Sequence, residues 1–73
     1  MEKWIKTQSG CLVKPDNIIY DYNYGQMEVI TRLGNQSYIT LGIYDERDGN
    51  LIKEQIEEFI ITGIVNIFIM PPQ

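Results

Sequence analysis

Between Leu51 and Met70 the chain carries one amphipathic helical period and then, almost at once, its most apolar run. No other stretch constrains the fold as tightly. Leu51, Ile52, Ile56, Phe59 and Ile60 recur at helical spacing and predict one buried face, while Lys53, Glu54, Glu57 and Glu58 make the wet one. Gly63 ends the pattern, as glycine does just beyond a helix C-terminus. Asp45 can cap the start through its side-chain oxygen, with Glu46 and Asp48 near the positive end of the helix. Gly49 weakens that first turn, so a start at Asp48 or Asn50 competes. Ile64 to Met70 is β-branched and apolar on both faces except at Asn66. Such a strand usually lies inside a sheet with both faces covered. Pro71-Pro72 stops it. With one helix in the chain, a partner subunit would be the natural cover for the second face.

Upstream, short β-like runs alternate with turn signals. Trp4-Ile5-Lys6-Thr7-Gln8 is ended by Ser9-Gly10, and Leu12-Val13 can add a strand before Pro15. Ile18 to Asn23, Met27 to Leu33 and Gln36 to Ile43 follow, joined at Tyr24-Gly25 and Gly34-Asn35. If both joints are two-residue loops, Tyr22 faces Met27, Tyr20 faces Val29 and Ile19 faces Ile30. Across the second loop Thr31 faces Tyr38 and Ile30 faces Ile39. One sheet face then carries Ile19, Ile30, Ile39, Leu41 and Ile43, an aliphatic row suited to the helix. The other carries Ile18, Tyr20, Tyr22, Met27, Val29, Tyr38 and Thr40. A one-residue slip would exchange them. The expected fold is α+β over residues 1–73 as one small domain. It is an antiparallel meander of four to five strands with one amphipathic helix on one face and a C-terminal strand returning to the sheet.

The absences narrow the chemistry. The chain has no histidine, which removes imidazole as base, metal ligand or pH switch. Cys11 stands alone, so an intrachain disulfide and a cysteine zinc cage are both out of reach, and a reducing, cytoplasmic setting is the simple expectation. Asp45 to Asn50 fails the spacing of a calcium loop, and the glycines fit neither a phosphate loop nor a dinucleotide fingerprint. We therefore expect no catalytic residues, no cofactor and no metal. The longest nearly apolar stretch is too short to span a bilayer, where about twenty residues are needed. Ten acidic against six basic residues give a net charge of −4, and the lysines and arginines form no run, which disfavours direct nucleic-acid binding.

What remains is protein recognition. Tyr20, Tyr22 and Tyr38 share one expected face with Met27, and tyrosine and methionine are enriched at interface cores. Glu54, Glu57 and Glu58 offer an acidic surface for a basic target. The partner is expected to be a protein, foreign or a second copy, and a homodimer through the tyrosine face is one form. A second minicore under the N-terminal segment is the plainer use of the same tyrosines.

Three segments carry a likeness. Trp4-Ile5-Lys6-Thr7-Gln8, Leu41-Gly42-Ile43-Tyr44-Asp45 before the helix, and Met70-Pro71 at the end resemble small uncharacterised proteins of Gram-positive bacteria and their phages. Asp48-Gly49-Asn50 departs from the charged, alanine-rich helix start of those proteins. The resemblance implies no activity. It does imply a mobile-element setting, in which small acidic inhibitors such as anti-CRISPR proteins are numerous.

Overall fold

The computed structural model describes residues 2–33, 37–63 and 66–73. In chain order the elements are β1 (Trp4–Lys6), β2 (Leu12–Val13), β3 (Ile18–Asn23), β4 (Gln26–Leu33), β5 (Ser37–Asp45), α1 (Glu46–Thr62) and β6 (Ile67–Ile69). The architecture is α+β, one helix packed on sheets of mostly antiparallel strands. The strands fall into two three-stranded sheets, β3-β4-β5 and β2-β1-β6. The final strand does return to a sheet, and its neighbour there is β1. The two run parallel, with Trp4 opposite Ile67 and Lys6 opposite Ile69.

The β3–β4 hairpin follows the turn chemistry. Tyr24 and Gly25 both take positive φ, 51° and 76°, as a two-residue loop between twisted strands requires. That sets Tyr22 opposite Met27, Tyr20 opposite Val29 and Ile19 opposite Ile30. The next pairing differs from expectation. The Gly34-Asn35 loop lies outside the described residues, but Leu33 pairs with Ser37, which leaves three residues between the strands in place of two. Thr31 therefore faces Ile39, and Tyr38 faces Arg32. A second shift follows between Ile30, opposite Thr40, and Val29, opposite Gly42. The extra residue, Leu41, forms a bulge and reverses the alternation of β5 from there onward.

These shifts change which residues of β5 join each face, and the face that the helix covers is not the aliphatic row. Met27, Val29, Thr31, Leu41 and Tyr44 point under α1 and are buried, with Ile18, Tyr20 and Ile39 packed at their margin. Ile19 and Ile43 lie on the open side, each 38% exposed. Both faces carry enough apolar side chains to accept a helix, and local fit selects between them. Gly49 supplies that fit: a Cβ there would sit 2.9 Å from Cβ of Met27. The glycine that weakens the helix on propensity grounds is a point where helix and sheet approach too closely for a side chain.

The helix begins one residue after its cap. Asp45 accepts a hydrogen bond from the Asp48 N–H at 2.8 Å, and Gly63 closes the other end in the left-handed region at φ 66°. Its buried stripe is Gly49, Ile52, Ile56 and Phe59, narrower than the periodicity predicts, because Leu51 and Ile60 stand at the edges and stay exposed. No basic residue lies in its last turn. Lys3 takes that place from a distant part of the chain, donating to the carbonyls of Phe59 and Ile60, the former at 2.9 Å, with its ammonium over the Phe59 ring. A cation there complements the negative end of the helix.

Candidate functional site

The tyrosines do not form one face. Tyr20 lies half-covered beside α1, with the Lys53 ammonium 5.2 Å from its ring centroid. Burial, reinforced by the nearby charge of Glu57, pushes its hydroxyl pKa up to about 12. Tyr22 donates to Oδ1 of Asn50 at 3.2 Å, which ties the rim of the sheet to the first turns of the helix. Met27 is wholly buried beneath Gly49. Tyr38 belongs to the opposite side of the sheet, where it is 58% exposed. The extra residue between Leu33 and Ser37 separates it from the others, because Tyr38 pairs with Arg32 in place of Thr31. The expected Tyr20, Tyr22, Met27 and Tyr38 surface is thus divided: Met27 is buried and Tyr20 half-covered by α1 and not by the N-terminal segment, Tyr22 stays exposed at the rim, and Tyr38 stands on the other side.

The acidic surface stands as expected. Glu54, Glu57 and Glu58 are all exposed on α1. They belong to a charge separation that composition alone conceals. Glu2 is the single acid among residues 2–14, against Lys3, Lys6 and Lys14, while the rest of the chain is strongly acidic. Lys14 and Glu2 meet at 3.1 Å, an exposed pair that contributes little to stability.

A surface that periodicity did not single out lies on the β2-β1-β6 sheet. Ile5, Val13 and Phe68 face inward, where the Phe68 ring meets Phe59 at 5.6 Å between centroids. By the period of two, Trp4, Lys6, Leu12, Ile67 and Ile69 share the outer side. Leu12, Ile67 and Ile69 are 54%, 50% and 65% exposed. The apolar character of the last strand was legible in the sequence. Its neighbour was not, so Trp4 and Leu12 could not be placed beside it.

The concavities are shallow. One of about 620 Å³ opens at the helix N-terminus and is lined by Gly25, Asp45, Glu46, Arg47 and Asn50. Its carboxylates already occupy the positive end of the helix, which leaves little attraction for a free anion. A second, of about 180 Å³, lies between Tyr44, Asp48, Leu51 and Ile52 of the helix side and Pro71-Pro72. Among the described residues no cluster of three or more His, Cys, Asp or Glu could hold a metal ion, and no helix is long and apolar enough to cross a membrane. Compared with known proteins, the chain matches no family model, no curated sequence and no solved structure at a significant level.

Proposed function

We propose that the chain is a non-catalytic protein-binding module. The observation that carries this reading is the outer side of the β2-β1-β6 sheet, where Leu12, Ile67 and Ile69 stand at least half exposed around Trp4 and Lys6. Contiguous apolar surface of this kind marks interaction sites, and tryptophan is enriched among the residues that carry binding energy at interface centres. A protein partner would cover these side chains and place a carboxylate against Lys6.

The narrower reading is an inhibitor encoded by a phage or mobile element, acting on a basic target through Glu54, Glu57 and Glu58. It rests on the sequence resemblance and on the exposure of those three side chains. A homodimer through the tyrosine face loses its support, because Tyr20 and Met27 lie under the helix and Tyr38 lies on the other side of the sheet.

Affinity capture from a lysate of the cell that encodes the chain tests both surfaces. Three baits are compared: wild type, Ile67→Ser/Ile69→Ser, and Glu54→Lys/Glu57→Lys/Glu58→Lys. Circular dichroism of each bait verifies the fold. A partner retained by wild type and lost with the first variant supports the sheet surface. Loss with the second variant alone moves the site to the helix. Identical captures by all three overturn the proposal.

A further inference from the structure

We infer that β6 pairs antiparallel with β6 of a second copy, joining two small sheets into one of six strands. The inference rests on the protein-binding reading above and names the partner for the edge of that surface.

Main-chain direction comes first. Trp4 N–H donates to the Asn66 carbonyl at 2.8 Å, and Met70 N–H donates to the Lys6 carbonyl at 2.9 Å. Alternate residues of a strand turn their amide and carbonyl to opposite sides, so Asn66, Phe68 and Met70 serve β1. Ile67 and Ile69 therefore turn theirs away, toward an edge with which no described strand pairs. The edge asks for an extended backbone.

Its protection is the second point. On β5 the open side is bridged in its C-terminal half by Gln8, whose N–H donates to the Leu41 carbonyl while its side chain bonds both the N–H and the carbonyl of Ile43. On β2 the strand is only two residues long and Pro15 follows closely. Soluble proteins guard edges with charge, proline or a cover. From Gly63 to Gln73 there is no charged side chain, and the prolines come only after the strand has ended.

Self-complementarity selects the occupant. A twofold axis through Phe68 sets Ile67 against Ile69 of the second copy, and Ile69 against its Ile67. Both are then hydrogen-bonded pairs, each exchanging two main-chain bonds, with the two Phe68 residues forming the close pair between them. An added strand must put apolar residues beside Ile67 and Ile69 on the outer side and another on the inner side. β6 has that pattern itself. In a chain of net charge −4, this uncharged strip lets two copies meet without opposing like charges.

The test is sedimentation of the full chain over a hundredfold concentration range, with amide exchange read residue by residue. The expected result is a dimer in which the Ile67 and Ile69 amides are protected at high concentration and exposed on dilution, while Phe68 and Met70 stay protected throughout. Ile69→Pro removes an outward N–H and no bond to β1, so it should weaken association roughly a hundredfold while leaving a folded monomer. A monomer at every concentration overturns the inference, as does a dimer that survives Ile69→Pro or leaves the Ile67 and Ile69 amides open. If Ile69→Pro unfolds the chain, the wild-type exchange pattern decides alone. None of the overturning results touches the broader reading, which stands or falls on the capture experiment.

Discussion

The two sheets of this small protein are built in opposite ways. The β3-β4-β5 meander is made of neighbours in sequence, joined by tight loops, with strands of six to nine residues and a helix lying across one face. The β2-β1-β6 sheet gathers both ends of the chain into strands of two or three residues. Local closure costs little entropy, so the meander can form its hydrogen bonds early and cheaply. In the second sheet the β1–β6 pairing joins residues more than fifty positions apart, and it is held by a few specific anchors. Ile5 and Met70 reach the core, Tyr44 donates to the Pro71 carbonyl at 2.8 Å, and Gln8 bonds to β5 and to the same Pro71 carbonyl. The half that is expensive to assemble keeps Leu12, Ile67 and Ile69 open on its outer side, while the meander leaves Ile19, Tyr38 and Ile43 exposed on the side away from the helix.

The largest break in that comparison should come from Phe59, which belongs to both halves. It packs in the helix–sheet core and against Phe68 of β6. Phe59→Ala is expected to cost about 3–5 kcal/mol, enough to unfold the chain, as read from urea denaturation. Gly49→Ala sets propensity against packing. Alanine should add about 1 kcal/mol of helix preference, yet its methyl would lie 2.9 Å from Cβ of Met27. Overpacking of roughly 1–3 kcal/mol should win, giving a net loss of stability and a helix displaced from the meander, visible as shifts at Met27 in NMR spectra.

Gln8→Ala separates the halves more gently. It should cost on the order of 1–2 kcal/mol and speed exchange of the Ile43 amide, while the β3–β4 amides stay protected. If all amides respond together, the two sheets are one cooperative unit and the contrast drawn between them fails. The smallest effect at neutral pH is alkaline. Tyr20 and Tyr44 have hydroxyl pKa values near 12, against 10.0 for the free side chain, Tyr20 through burial and the charge of Glu57, and Tyr44 through burial that the Gln8 side chain partly opposes. The folded state holds those protons longer than the unfolded one, so stability is intact below pH 10 and falls as pH rises toward 12. Tyrosinate absorbance and circular dichroism followed together should show ionisation of these two coinciding with unfolding.

Much of this organisation was legible in the residues, and for reasons that can be named. Tyr24-Gly25 specifies a two-residue loop, so the β3–β4 register follows from counting. Gly63 carries the chemistry of a helix end, so that boundary could be placed, whereas Gly49 left the start open between Asp45, Asp48 and Asn50 until the cap at Asp45 decided it. The position of Tyr38 could not, because one more residue between Leu33 and Ser37 turns it to the other side of the sheet, and that residue has no local signature; the bulge at Leu41 reverses only the part of β5 that follows it. The surface around Trp4 was hidden for another reason. A parallel pairing between the first strand and the last leaves no trace in either segment, since each reads the same whichever strand it meets.

By itself, then, the sequence determined the kinds of element, most of their limits, the β3–β4 pairing and the acidity of the helix surface, because periodicity, turn residues and caps act within a few residues of one another. Only the tertiary structure decided which side of the meander became core, that Lys3 completes the far end of α1, and that the chain ends share a sheet with its outer side open. Those outcomes depend on fit between surfaces distant in sequence: Gly49 against Met27, Lys3 against the last helical carbonyls, Ile5 against Phe68. Two faces of comparable hydrophobicity compete for one helix, and packing at close range breaks the tie.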